Sequence, residues 1–334
     1  MRFALTLGVL ALSGSVPASA AADPERYMPV RLIAESQVPK PGSTILIGFR
    51  MTPKPGWHGY WSNPGDSGIA PTVSWSAPAG VTFGPLKHPA PTLLTAAGIS
   101  SYVHEREHIL LSRMTVPRTI PSGTPIPIAA DLNWAACTAT QCVPLHAKLI
   151  LELRAGDGSP SNNRAALYTA AERLPRSAPD GLFVESGKSL RLMLPQALGL
   201  QPARTRFFAE QPGAFNTAGA RSQVADGSVV LTGPAGSAEP DRMTGVVADG
   251  RRAYRITLVR TADLPVADAP EKAAREPTAA MATNHAAQPE PQAQVRPGRQ
   301  KPDPSPSNST ALAVTVAALI GAGGLAWLLR ATRR

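Results

Sequence analysis

The sequence of 334 residues predicts an all-β protein with two β-sandwich domains, a disordered tether and a single membrane-spanning helix near the C-terminus. Three observations predict this architecture. Short apolar or alternating runs recur with Pro and Gly between them, as they do in sandwich folds. Residues 265–309 are rich in Pro, Ala, Gln and charge, with few large apolar residues. An uncharged apolar run then extends from residue 311 to residue 329.

The two ends of the chain carry export and membrane signals. Residues 1–20 combine a basic start, an apolar run and the small-residue pattern Ala18-Ser19-Ala20, which is typical of a secretory signal peptide. Residues 311–329 are long enough to cross a bilayer, and the basic tail 330–334 is expected to stay on the cytoplasmic side. We therefore expect a single-pass type I membrane protein with an exported body. A sorting tail removed after export is the alternative for residues 311–329.

The body between these ends is large enough for two domains. We expect a first domain over residues 23–157, a linking helix within 158–176 and a second β domain over 177–264. The segment 265–309 cannot bury a core, so we expect a disordered tether there. The formal net charge is +10, but basic and acidic residues are interspersed, so no nucleic-acid partner is expected.

In the first domain, alternation and turn residues predict a series of short strands. Between the second and third of them, residues 56–68 hold three aromatic residues followed by turn formers, and we expect a long loop there. The predicted strands are Arg31–Ala34, Ser43–Met51, Thr72–Ser76, Ile109–Val116, Ile126–Ala136 and Val143–Leu153.

The second domain follows a predicted helix over Ser161–Leu174, with Ser161 or Asn162 as its cap and Pro175 just beyond its end. The domain contains no cysteine and no obvious catalytic cluster. Its predicted strands are Ser189–Leu194, Arg204–Glu210, Ser228–Thr232 and Arg252–Val259.

Cys137 and Cys142 are the only cysteines of the chain, and they lie where two predicted strands meet. A turn between antiparallel strands brings such residues within disulfide distance. Closing so short a loop removes little chain entropy, on the order of 2 kcal/mol, so the bond would be a weak staple. A strand-end disulfide of this kind suits repeated opening and closing.

Two other interpretations of the cysteine pair stay open. The pair could be a local structural disulfide, which is the commoner case in exported proteins. It could also supply a metal site with His146 as the third ligand, but three ligands without paired spacing fit a metal poorly. Copper handling is a minor hypothesis, because exported thiols bind soft metals but the sequence shows no Met/His-rich cluster. His146 and Lys148 could place positive charge near the pair, or could simply be solvated surface residues.

Several separated motifs, in order, resemble one known family. They are Trp-His-Gly-Tyr-Trp-Ser-Asn-Pro-Gly-Asp-Ser-Gly at 57–68, Pro-Thr-Val-Ser-Trp at 71–75, and Asn-Trp-Ala-Ala-Cys with Cys-Val-Pro within 133–144. This pattern is similar to the N-terminal periplasmic domain of the thiol:disulfide interchange protein DsbD, and most of all to the ScsB-type branch. The resemblance covers roughly residues 24–155.

The resemblance implies an immunoglobulin-like fold, a periplasmic body at the bacterial inner membrane, and Cys137 and Cys142 as a redox pair. Family members cover the pair with a cap segment, and by position Tyr102 or His104 would be the shielding residue here. No cofactor or metal is implied. Full-length members continue into a multi-span membrane domain and a thioredoxin-like domain, whereas this chain has one predicted span and two cysteines.

The sequence therefore supports two hypotheses. In the first, the protein is a membrane-anchored exchange module that passes electrons between a membrane thiol-disulfide reductase and exported thioredoxin-like or disulfide-bearing proteins. It would be a component of a protein-disulfide reductase system. In the second, the protein is an anchored binding or scaffold protein whose disulfide is only structural.

Overall fold

The computed structural model describes residues 22–225 and 227–264, and these residues are mostly β. All of them fall within one compact unit. The strands up to β10 form what we call the first region, and those from β11 onward form the second region. The strands of the first region are β1 Val30–Ala34, β2 Thr44–Met51, β3 Gly59–Gly65, β4 Thr72–Ser76, β5 Thr82–Phe83, β6 Thr92–Ala96, β7 Ile99–His104, β8 His108–Thr115, β9 Pro125–Cys137 and β10 Cys142–Arg154.

Two sheets of the first region enclose its core. One has the strand order β1-β2-β8-β5 and the other has the order β10-β9-β4. Alternate residues of β2 and β9 point inward, so that Phe49 packs in the same buried cluster as Leu132 and Trp134. This arrangement fits the immunoglobulin-like sandwich expected from the sequence.

A third sheet, with the order β3-β7-β6, lies beside the sandwich. The expectation of a long loop at residues 56–68 is wrong here, because Gly59–Gly65 is strand β3. The turn-forming residues Pro64 and Gly65 indicated a loop, but the strand accommodates them through a register shift in its pairing with β7 between Tyr60 and Gly65.

The predicted helix is present but shorter, as α1 Arg164–Glu172. Its cap residue is Asn163, which makes no side-chain capping bond. Ser161 instead donates its hydroxyl hydrogen to the Ala34 carbonyl and accepts the Asn163 amide. Leu167 is fully buried against the outer side of the first region. Helix α1 is therefore anchored to the first region by its apolar stripe.

The second region is one eight-stranded sheet, in which seven strands follow the order β14-β17-β18-β12-β13-β16-β15 and β11 pairs in parallel with β18 off this path. Its core is a single cluster that includes Phe183, Phe207, Phe215 and Leu231. All-β structure is confirmed in this region, and a second separate immunoglobulin-like domain stays a prediction. The strands are β11 Arg176–Ser177, β12 Gly181–Ser186, β13 Ser189–Met193, β14 Arg206–Ala209, β15 Arg221–Ala225, β16 Ser228–Pro234, β17 Arg242–Ala248 and β18 Ala253–Arg260.

The predicted signal peptide at 1–20, tether at 265–309, membrane helix at 311–329 and tail at 330–334 lie outside the described residues. Within 22–225 and 227–264, no helix is long and apolar enough to cross a membrane.

Candidate functional site: the disulfide hairpin

Strands β9 and β10 form a long antiparallel hairpin whose register places Cys137 opposite Cys142. The two residues form a disulfide, with their Cα atoms 4.1 Å apart. Both backbone groups of Cys137 bond to His58 on the other side of the strand, through N–H···O contacts of 3.0 and 2.9 Å. Cys137 and Cys142 are therefore a non-hydrogen-bonded pair, the position at which opposite side chains approach most closely.

The four-residue connection of the hairpin is held by its own hydrogen bonds. The Thr138 amide donates to the Gln141 carbonyl at 2.7 Å. The Thr138 hydroxyl oxygen accepts the amides of Thr140 and Gln141 at 3.3 and 3.1 Å. These bonds fix the connection locally, so the disulfide is not required to close the turn.

The two sulfur-bearing residues differ sharply in exposure. Cys137 is 1% exposed and belongs to a buried cluster with Tyr60, Val103 and Ala135, against which Leu94 packs. Cys142 is exposed. Of the two bonded residues, Cys142 therefore faces solvent and Cys137 is covered by its neighbours.

Tyr60 is the polar side chain closest to the exposed half of the disulfide. Its hydroxyl lies 3.7 Å from Cys142 Sγ. A disulfide sulfur carries no hydrogen, so the phenol is the donor in this contact. Burial raises the pKa of Tyr60, which keeps the phenol protonated and able to donate.

His58 directly precedes β3 and packs against Tyr60. Its imidazole stands edge-on to the Tyr60 ring, with the centroids 5.4 Å apart. Burial lowers the pKa of His58, so the imidazole is neutral at pH 7. His58 therefore packs the site and supplies no positive charge to it.

The two residues predicted to shield the disulfide, Tyr102 and His104, lie outside the buried cluster around Cys137. Tyr102 is buried in a cluster with Trp61 and Phe208, and its hydroxyl bonds to Thr217 Oγ1 at 2.7 Å. His104 lies among other histidines. The side chains that cover Cys137 are Tyr60 and Val103, so sequence reasoning chose the right strand, β7, but the face opposite to the disulfide. A strict alternation along residues 101–104 would have shown that Tyr102 and Val103 point to opposite faces.

Three histidines within residues 88–108 gather beside this strand. The His104 ring is 4.3 Å from that of His108 and 6.4 Å from that of His88, measured between centroids. Burial lowers the pKa of His88 and of His108 to about 4, and that of His104 well below its usual value. All three imidazoles are therefore neutral at pH 7. Their spacing in the sequence does not predict the cluster, because the contact between the rings arises only when the strands pack.

The structure gives the metal interpretation no support among the residues it describes. No three His, Cys, Asp or Glu side chains in that part of the chain are placed to hold a metal ion. The Nε2 atom of His146 bonds to Asp131 Oδ1 at 2.8 Å, and both side chains are half exposed. The two sulfurs are bonded to each other.

Comparison with known proteins places this hairpin in a family context. The model of the N-terminal domain of thiol:disulfide interchange protein DsbD matches residues 25–154. A search of curated proteins finds no match.

Among solved structures, the N-terminal periplasmic domain of ScsB from Proteus mirabilis is similar, with a TM-score of 0.53 and 16% identity over 75% of this chain and 97% of that one. At this identity the likeness shows the fold. The E. coli chaperone DraB also matches, with a TM-score of 0.21 and 9% identity over 69% of this chain and 96% of that one, which is too low to carry an argument.

Proposed function

Residues 25–154 form a DsbD-like N-terminal domain, and from this premise we propose that the protein is a membrane-anchored thiol–disulfide exchange module of the periplasm. The observation that carries the proposal is the asymmetric disulfide: one exposed sulfur at Cys142 and one buried sulfur at Cys137, at the end of a hairpin that holds its own turn. A structural staple does not need one accessible sulfur, whereas an exchange reaction does.

In this proposal the two cysteines have different roles, which is supported by their difference in exposure. In the oxidised protein, a donor thiolate attacks Cys142 Sγ, the sulfur–sulfur bond breaks, and its electron pair leaves on Cys137 as a thiolate. A mixed disulfide between the donor and Cys142 results. The donor's second thiolate then attacks the donor sulfur of that bond, which releases the Cys142 thiolate and completes a two-electron reduction.

The reverse sequence passes the electrons on. The Cys142 thiolate attacks an exported partner's disulfide, and Cys137 resolves the mixed disulfide by attacking Cys142 Sγ. Tyr60 assists both directions, because its protonated phenol can donate to the Cys142 thiolate and lower the pKa of that thiol. Val103 and Tyr60 cover Cys137, so the resolving thiol is shielded from competing reagents.

The wider setting of the module is part of the same proposal. Residues 23–157 would be the redox domain, 158–176 its link and 177–264 a second domain, joined through 265–309 to a single span at 311–329. The similar ScsB domain is a periplasmic one, which supports a periplasmic body at the bacterial inner membrane. The partners would be a membrane thiol-disulfide reductase and exported thioredoxin-like or disulfide-bearing proteins.

Reduction by a protein dithiol tests this proposal. The full-length chain in its oxidised form is mixed with reduced thioredoxin, and free Cys137 and Cys142 thiols are trapped with a maleimide at intervals. We expect reduction of the pair. Thioredoxin that lacks its second active-site cysteine should attack the intact disulfide of the wild-type chain and accumulate as a mixed disulfide with Cys142, because it has no thiol to release itself. A pair that thioredoxin leaves oxidised would favour the scaffold hypothesis, in which the disulfide only braces the hairpin.

A further inference from the structure

Strands β3 and β7 stand between the disulfide and the second region, and their side chains alternate between the two. Tyr60 of β3 and Val103 of β7 pack in the Cys137 cluster. Their immediate neighbours, Trp61 and Tyr102, pack with residues of the second region. Successive residues of a strand point to opposite faces, so each strand contacts the disulfide on one side and the second region on the other.

An aromatic cluster joins these strands to the second region. Phe208 of β14 lies 5.1 Å from the Tyr102 ring and 6.5 Å from the Trp61 ring, measured between centroids. The three side chains are 2–5% exposed. Such edge-on pairs add to the free energy gained by burying the rings themselves.

Two buried hydrogen bonds join β3 and β7 to the second region, and a third bond, within the second region, orients one of them. Asn63 Nδ2, on β3, donates to the Ala209 carbonyl at 2.8 Å. The Thr217 hydroxyl donates to the Phe207 carbonyl at 2.6 Å, so its oxygen is left to accept the hydrogen of the Tyr102 phenol. Separating the strands from the second region would leave these buried groups without partners, which costs free energy.

We propose that the second region positions the shield of the disulfide: its contact with Trp61, Asn63 and Tyr102 holds β3 and β7 in place, and so keeps Tyr60 and Val103 against the Cys137–Cys142 bond. The contact sets how often the shield opens, and therefore how fast reagents from solvent reach the Cys137 thiol once the disulfide is open. Phe208 is then a positioning residue for a reaction in which it takes no direct part. This inference deepens the proposed function by giving the second region a role in it.

The reactivity of the Cys137 thiol tests the inference without any protein partner. The full-length Cys142→Ser chain, in which Cys137 is the only cysteine, is treated with Ellman's reagent, and the labelling of Cys137 is followed over time. Phe208→Ala removes the central ring of the contact. Phe215→Ala is the matched control, because Phe215 is buried in the core of the second region, 5.7 Å from the Phe207 ring, and lies outside the aromatic cluster.

We expect Phe208→Ala to speed the labelling of Cys137 about tenfold and Phe215→Ala to change it less than about twofold, since only the first loosens the shield. A wild-type rate for Phe208→Ala, or an equal acceleration by Phe215→Ala, would overturn the inference.

A gentler pair of variants keeps the test decisive where Phe208→Ala fails to fold. Tyr102→Phe removes the hydrogen bond to Thr217, and Thr217→Val removes that bond together with the one to the Phe207 carbonyl; both variants keep nearly all side-chain volume. Each should speed the labelling of Cys137 at least about twofold, and the double variant should be no faster than Thr217→Val alone. Additive effects, or none, would contradict the inference. The measurement is independent of the proposed function, because Ellman's reagent reports shielding even if the disulfide never exchanges with a protein.

Discussion

The first region divides its strands among three sheets, whereas the second continues one hydrogen-bonded sheet across all its strands. The division has a structural consequence: the small sheet of β3, β7 and β6 is free to cover the end of the β9–β10 hairpin, where the disulfide lies. The second region has no comparable side sheet among its described strands. Its residues Phe208, Val246 and Ala248 instead pack against Trp61 and Tyr102 of the first region.

The two regions also differ in what they bury. Each of the five described histidines lies in the first region, and His104 has a buried Nε2 atom without a hydrogen-bond partner in the structure. The second region buries few polar side chains, and one of them, Asp249, is well satisfied by the amides of Gln201, Arg251 and Arg252. Buried side-chain atoms without a hydrogen-bond partner occur in both regions, but four of the six described ones lie in the first region and two, Ser222 Oγ and Arg260 Nε, lie in the second. The first region therefore carries the larger share of incompletely satisfied polar groups.

Truncating one core residue in each region gives the largest expected effect and separates the roles of the two regions. Phe183→Ala in the second region and Trp134→Ala in the first should each lower the free energy of unfolding by about 3–5 kcal/mol, because both side chains are fully buried. Only Trp134→Ala should also speed reduction of the disulfide by dithiothreitol, since Trp134 packs beside Val143 next to the pair. Urea unfolding and the reduction rate provide the two measurements. An equal increase in the rate of disulfide reduction in Phe183→Ala would contradict this distinction between the two regions.

Single-cysteine variants locate the reactivity within the first region. Cys137→Ser leaves the exposed Cys142, and Cys142→Ser leaves the buried Cys137. We expect Cys142 to react with Ellman's reagent on the order of 100-fold faster than Cys137, because the reagent cannot reach a sulfur covered by Tyr60 and Val103. Comparable rates for the two variants would show that the shield does not protect Cys137.

Acid should weaken the first region selectively. His88 and His108 are neutral when folded, with pKa values of about 4, but titrate near 6.5 in the unfolded chain. The unfolded state therefore binds more protons between these values, so stability is full above about pH 6.5 and is lost as the pH falls toward 4. Each of the two histidines should cost about 2 kcal/mol by pH 5, so we expect a total loss of about 4 kcal/mol.

Tryptophan fluorescence measures this loss, because the four described tryptophans all lie in the first region. Urea midpoints at pH 7 and pH 5 give the difference. His88→Gln should reduce the pH dependence, because it removes one of the two imidazoles with a lowered pKa. An unchanged pH dependence in His88→Gln would contradict the role given to the buried imidazoles.

The smallest expected effect concerns Tyr60. In a Cys137→Ser background, Tyr60→Phe removes the donor to Cys142, a hydrogen bond worth about 0.5–1.5 kcal/mol. The pKa of the Cys142 thiol should therefore rise by up to about one unit, as read from the pH dependence of alkylation by iodoacetamide. Tyr168→Phe, which loses a surface bond to Glu35, is the control. A Cys142 pKa that does not rise would remove Tyr60 from the mechanism.

The sequence alone predicted the β9–β10 hairpin but not the side chains that cover its disulfide. Alternating leucines predicted β10, and the apolar run before Cys137 predicted β9, because long strands with one buried face leave a clear pattern. Strand β3 was hidden by Pro64 and Gly65, which usually mark a loop. Tyr60 was missed as the neighbour of Cys142, since its contact spans 82 residues and depends on the three-stranded side sheet. The histidine cluster and the contact of Phe208 with Trp61 and Tyr102 were missed for the same reason: each depends on how separate strands pack in the fold.

The reduction potential of the Cys137–Cys142 pair tests the central claim most directly. The full-length protein is equilibrated with glutathione redox buffers, and the reduced fraction is quantified by thiol labelling. Exchange predicts a labile pair with a potential near about −200 mV, within the range of known exchange proteins. A potential well below about −300 mV, typical of structural disulfides in secreted proteins, would contradict it and leave the disulfide as a brace of the hairpin.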